Sequence, residues 1–199
     1  MKFNILHLDY ETQGYPNLFD EGAYRYAKDA RTKVVSMAWI WDDRETGEIW
    51  VPSEEPFPAE VEDFMRAGIP RSLHAHNAQF ERLITEHVLG IPTDIDQWYC
   101  TAAQARARAL PGALDDLGRC LALPIQKDQA GKDLIKKICV PPFEEDPELL
   151  EQFYNYNMTD VATERMSENA SVPLDDNEQG VGIANEKVND AGLRVDVEF

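Results

Sequence analysis

Apolar residues Phe3, Ile5, Leu6 and Leu8 crowd the chain's start, and the run ends in Asp9-Tyr10-Glu11-Thr12. This pattern predicts a strand over residues 2–9 that delivers carboxylates at its C-terminal end. A Val-, Trp- and Ile-rich stretch over residues 33–41 and a shorter one over 48–51 flank the polar segment Asp42-Asp43-Arg44-Glu45-Thr46-Gly47, as in a hairpin with a long loop. Over residues 58–67, an initial proline, acids in the first turn and Val61, Phe64 and Met65 at helical spacing predict a helix stopped by Gly68. Residues 72–76 read as a short buried strand, 78–89 as a helix with Phe80, Leu83, Ile84 and Val88 on one face, and 95–100 as a fifth strand. Helices follow over 101–110, 113–121, 132–138 and 147–168. Strands interleaved with helices, then helices alone, predict an α/β fold with a mixed five-stranded sheet flanked by helices.

From Ser171 the composition shifts. Pro173 and Asp175-Asp176-Asn177-Glu178 predict a capped entry to another helix running toward Asn189, with Gly192 as its stop. The expected division is therefore a domain over residues 1–170 and a linker helix opening a following region over 171–199. A length of 199 residues accommodates a domain with a substantial core plus the start of a second. At 43% apolar and 28% charged residues, the chain has the composition of a folded globular protein.

Charge complicates the picture. The formal sum is −18, the opposite of the basic footprint of a tight nucleic-acid binder. Carboxylates that collect divalent cations create local positive potential which that sum omits, and a neighbouring module can supply affinity. Cys100, Cys120 and Cys139 have no zinc-ligand spacing and read as reduced structural thiols. Neither an export signal nor a spanning segment is apparent, so a cytoplasmic location is expected.

Three segments carry candidate chemistry. In Asp9-Tyr10-Glu11 the acids are two apart, so on a strand they point the same way and converge without a turn. In His76-Asn77-Ala78-Gln79-Phe80-Glu81, Asn77 is placed to cap the following helix, while Phe80 and Glu81 leave its first turn in different directions. His76 reads as structural. In Tyr156-Asn157-Met158-Thr159-Asp160, four-residue spacing puts phenol and carboxylate on one helical face, where both can reach one water. Alone, each segment has an ordinary reading: solvent-facing acids, a capped helix whose Glu81 complements the dipole, and a core tyrosine beside a surface aspartate. Lys127, Lys132, Lys136 and Lys137, with Arg106 and Arg108, fit either a phosphate-tracking face or a solvated one.

The order D-x-E, N-x-x-F-E, Y-x-x-x-D resembles the proofreading exonucleases of the DEDD superfamily, tyrosine branch, since Asn155 stands where the histidine branch would place its histidine. The resemblance implies a ribonuclease-H-like fold and metal ligands Asp9, Glu11, Glu81 and Asp160 holding two divalent cations, Mg²⁺ or Mn²⁺. It further implies Tyr156 orienting the attacking water, and Thr12, Asn77 and Phe80 at the substrate. Glu81 departs from the usual aspartate, and its extra methylene is expected to move the carboxylate outward. The run from Asn185 to Asp196 resembles the exit from the exonuclease in phage-type family-A DNA polymerases. The implied function is 3′-to-5′ hydrolysis of single-stranded DNA, releasing 5′-monophosphate nucleotides. The implied partners are a single-stranded DNA 3′ end and a polymerase domain, in the same parent chain or in trans. An exoribonuclease of the same superfamily and a catalytically silent nucleic-acid-binding scaffold are the alternatives.

Overall fold

β1 (Ile5–Gln13) is the central strand, and everything that matters for the site is arranged around it. The computed structural model describes residues 4–124 and 130–193. β2 (Lys33–Trp41) pairs antiparallel with β1, and β3 (Glu48–Trp50) continues the meander at the edge. On β1's other side, β4 (Ser72–Ala75) and β5 (Trp98–Cys100) run parallel to it, giving the order β3-β2-β1-β4-β5. This is the expected mixed five-stranded sheet.

The helices are α1 (Leu18–Lys28), α2 (Ala59–Arg66), α3 (Ala78–His87), α4 (Thr101–Ala107), α5 (Leu114–Cys120), α6 (Ala130–Ile138), α7 (Pro147–Asn169) and α8 (Asp176–Ala191). Strand alternation assigns the two sheet faces. Leu6, Leu8 and Tyr10 of β1, with Met37, Trp39 and Trp41 of β2, join Val61, Phe64 and Met65 of α2 and Leu83 and Ile84 of α3 in the main core. The opposite face, with Ala38 and Ile40, packs against Val161 of α7. α6 leans on α7 through Leu134, Ile138, Phe153 and Tyr156.

Several boundaries differ from the sequence reading. β1 runs four residues beyond Asp9, because Tyr10, Thr12 and Gln13 are all buried; Asp9 and Glu11 lie inside the strand, and the register slips between Glu11 and Thr12. α1 was not expected at all. Asn17 caps it, accepting from Phe19 N, and Gly22, at φ 79, kinks it and breaks its apolar periodicity. A 3₁₀ turn (Ile95–Gln97) replaces the first half of the anticipated fifth strand. α8 begins as expected, with a capping box in which the Asp175 side chain accepts from Glu178 N and the Glu178 side chain accepts from Asp175 N. The expected region after Leu193 lies outside the described residues, as do Lys2, Phe3 and Lys127. No described helix is long and apolar enough to cross a membrane.

Candidate active site

Asp9, Glu11 and Asp160 each offer a carboxylate oxygen, and these lie within 4.8 Å of one another. Alternation on β1 sends Asp9 and Glu11 to the face covered by α7, and α7 brings Asp160 down onto them. Three acids this close, one of them buried, repel strongly unless cations compensate them. Hard carboxylate oxygens at such spacing suit Mg²⁺ or Mn²⁺.

Glu81 completes the acidic group from the opposite direction. It is 3% exposed, and its Oε2 accepts from the Tyr10 backbone N–H at 3.1 Å. The β1–β4 ladder ends at His7–His74, so Tyr10 N lies beyond it and Glu81 takes the place of a neighbouring strand. The longer side chain was expected to move its carboxylate outward; it is instead buried, drawn in by that N–H. Burial, then Asp9, raises the Glu81 carboxyl well above its ordinary value of 4.5. A carboxyl raised in the folded state stabilises the fold fully below its unfolded pKa and does so less as pH rises. In chelator, Glu81→Gln is therefore expected to gain Tm relative to wild type as pH rises above 4.5. Scanning calorimetry of both proteins across that range checks it, and a constant difference would contradict it.

Tyr156 stands one turn before Asp160 and is 7% exposed. Burial, then Asp160 and Glu11, pushes its phenol far up, so the hydroxyl remains a donor. Its ring stacks on Phe153 with centroids 6.1 Å apart and packs against α6 so closely that a Cβ at Gly131 would collide with it.

The remaining expected residues divide. Asn77 and Phe80 line a cleft of 1060 Å³ together with Asp9, Glu11, Glu81, Tyr156 and Asp160. Asn77 stands at the head of α3 but does not cap it as expected: it adopts φ 64, a left-handed conformation that asparagine tolerates, and its side chain makes no cap hydrogen bond. Phe80 also packs on the core, 6.0 Å from the Tyr26 ring. Thr12 is not brought to the cleft wall; it is buried, with Oγ1 2.9 Å from the Tyr26 hydroxyl. His76 bridges Thr101 Oγ1 and the Gly112 carbonyl, a structural tie. Among the cations, Arg106 lines the cleft, whereas Arg108 is bound to Glu178 and the carbonyls of Val172 and Pro173, fastening the start of α8. Lys136 pairs with Asp133 at 3.7 Å. The three cysteines are free.

Two features were missed. Asn157 is fully buried; its Nδ2 donates to Asp9 Oδ2 at 2.6 Å and to the Asp9 carbonyl at 3.2 Å, while its Oδ1 accepts from Ser36 Oγ at 3.0 Å. The signal was available: Asn157, Asp160, Glu164 and Glu168 form a polar stripe at helical spacing on a helix that must bury that face. Second, α8 forms one wall of the cleft through residues such as Gln179, Ile183 and Glu186. It is held by Arg82, which is 4% exposed and donates to Glu186 at 3.2 Å and Asp190 at 2.6 Å.

No family model matches the chain. Over 210 residues it is 31% identical to a DNA polymerase of Bacillus phage SP02; the match takes in 98% of this chain but 32% of that protein, so the chain spans about a third of its relative's length. Among solved structures, Brucella melitensis NrnC with bound Mg²⁺ superposes with TM-score 0.54 at 13% identity, covering 94% of this chain and 81% of that one. NrnC of the same organism bound to pGG gives 0.56 at 14% identity with the same coverage. By sequence the chain is thus related to a phage DNA polymerase, and its fold is ribonuclease-H-like, shared with these NrnC structures.

Proposed function

We propose that this chain is a 3′-to-5′ exonuclease that removes 5′-monophosphate nucleotides from single-stranded DNA and serves as the proofreading domain of a polymerase. The convergence of Asp9, Glu11 and Asp160 on a cleft carries the proposal. These three, with Glu81, would hold two divalent cations, Mg²⁺ or Mn²⁺. Such ions, when bound, activate water and stabilise the departing 3′ oxygen. The likeness to a phage polymerase and to a nuclease whose structure contains Mg²⁺ supports this reading.

The protein's own groups orient and hold. Tyr156, kept protonated, donates a hydrogen bond to the attacking water, and Asn157 fixes the Asp9 carboxylate. Phe80 and Asn77 receive the terminal nucleotide, and Arg106 offers charge to a phosphate. Residues 1–170 form the nuclease domain and 171–199 a linker, and the attached polymerase provides the grip on DNA that a chain of charge −18 lacks.

RNA is the second reading, since the same carboxylates with their ions would serve a phosphodiester of either sugar. Matched 5′-labelled DNA and RNA strands, incubated with Mn²⁺ or Mg²⁺ and with chelator, test both. Metal-dependent shortening of DNA from its 3′ end supports the proposal; preference for RNA selects the alternative, and no shortening of either leaves a silent scaffold. Tyr156→Phe is expected to slow the reaction about three- to tenfold, the worth of one hydrogen bond. A rate within assay error of wild type would remove Tyr156 from the mechanism.

A further inference from the structure

Beside the carboxylate site, on the same faces of β1 and α7, lies a cluster that nuclease chemistry does not use. His7 precedes Asp9 by two residues, His74 stands opposite it on β4, and Glu164 and Glu168 follow Asp160 by one and two turns. The side chains of His7, His74 and Glu164 are under a tenth exposed, and that of Glu168 is 16% exposed. His7 Nδ1 lies 2.8 Å from Glu164 Oε2 and 3.8 Å from Glu168 Oε2, while His74 Nδ1 lies 2.7 Å from Glu168 Oε2.

We infer that His7, His74, Glu164 and Glu168 bind one Zn²⁺, a structural site clamping β1 and β4 to α7. Ligand atoms of His7, His74 and Glu168 lie within 4.8 Å of one another. A tetrahedron built on zinc bonds of about 2.1 Å has edges of about 3.4 Å, between the spacings observed here. Glu164 supplies an independent observation: its Oε1 is buried with no hydrogen-bond partner among the described residues, a costly state for a carboxylate without a cation. Charge closes as well, since two neutral imidazoles, two carboxylates and one divalent ion sum to zero. Imidazole nitrogen selects zinc over magnesium. The His74 ring is already oriented, with Nε2 2.7 Å from Ser72 Oγ and its face stacked on Tyr99 at a centroid distance of 4.7 Å. Such support around a ligand is what a metal site needs.

The test titrates chelator-stripped chain with Zn²⁺ in excess Mg²⁺ and counts retained zinc after dialysis. One equivalent is expected in wild type and in Asp160→Asn, which disables the carboxylate site. Retention is expected to fall at least about tenfold in Glu168→Gln and in His74→Gln, the range typical of altered metal shells. Co²⁺ substitution is expected to give the intense visible absorption of a tetrahedral ion in wild type and Asp160→Asn. This readout stands on these two proteins alone if the cluster variants misfold. Zinc is also expected to raise Tm by about 5 °C or more at a hundredfold excess over Kd. No zinc retained by wild type would overturn the inference and leave two buried His–Glu pairs. Zinc lost in Asp160→Asn but kept in the cluster variants would move the ion to the carboxylate site and overturn it equally. The outcome does not depend on nuclease activity.

Discussion

Asp160→Asn is expected to lower metal-dependent degradation by at least about a thousandfold, because stabilisation by metal ions is worth several kcal/mol and each 1.36 kcal/mol is tenfold in rate. The substitution keeps shape and removes one charge from a group whose members lie within 4.8 Å of one another. Two carboxylates then remain in that tight set, and ion affinity falls with ligand charge. The fold is expected to survive: Asp160 is buried beside acids, so neutralising it relieves repulsion in the metal-free protein. Initial rates on a labelled single strand, measured beside the circular dichroism spectrum, check both halves. More than a tenth of wild-type activity in a folded variant would remove Asp160 from the machinery. Loss of activity together with loss of the spectrum would instead make its role structural.

How the sequence encodes this arrangement is uneven, and the unevenness has physical causes. Elements that bury one regular stripe were legible: β2 reads as its Val-, Trp- and Ile-rich run, α2 as Val61, Phe64 and Met65. α1 escaped because Gly22 divides its apolar positions, and one kinked helix does not present a single period. The end of β1 was misplaced because Tyr10, Thr12 and Gln13 look like a turn by composition yet are buried by α1, α3 and α6; Gln13 Nε2, for instance, donates to the Ile138 carbonyl at 2.8 Å. The acidic residues were found by their order along the chain, since each segment alone has a plainer explanation. Their individual geometry was not legible. Whether Glu81 points out or in depends on a backbone N–H left open where β4 stops pairing, and that is a property of the sheet.

The same limit applies to Asn157, and its replacement should have the second largest effect. Asn157→Ala is expected to reduce activity at low Mg²⁺ by about 10- to 100-fold, the range seen when partners of metal ligands are lost. Asp9 Oδ2 would lose a donor at 2.6 Å, and the Ser36 hydroxyl would lose its acceptor in a fully buried place. Stranding the buried Ser36 hydroxyl costs about 1–3 kcal/mol, so Tm is expected to drop as well. Excess metal separates the roles. If Asn157 holds the Asp9 carboxylate in its ligating orientation, raising Mg²⁺ restores much of the rate while Tm stays low. If Asn157 only fills space, the deficit relative to wild type is insensitive to Mg²⁺ and follows the folded fraction. Asn157→Asp adds a second test: it preserves volume but sets another carboxylate against Asp9, and repulsion at that distance should impair activity at low Mg²⁺ beyond the alanine variant.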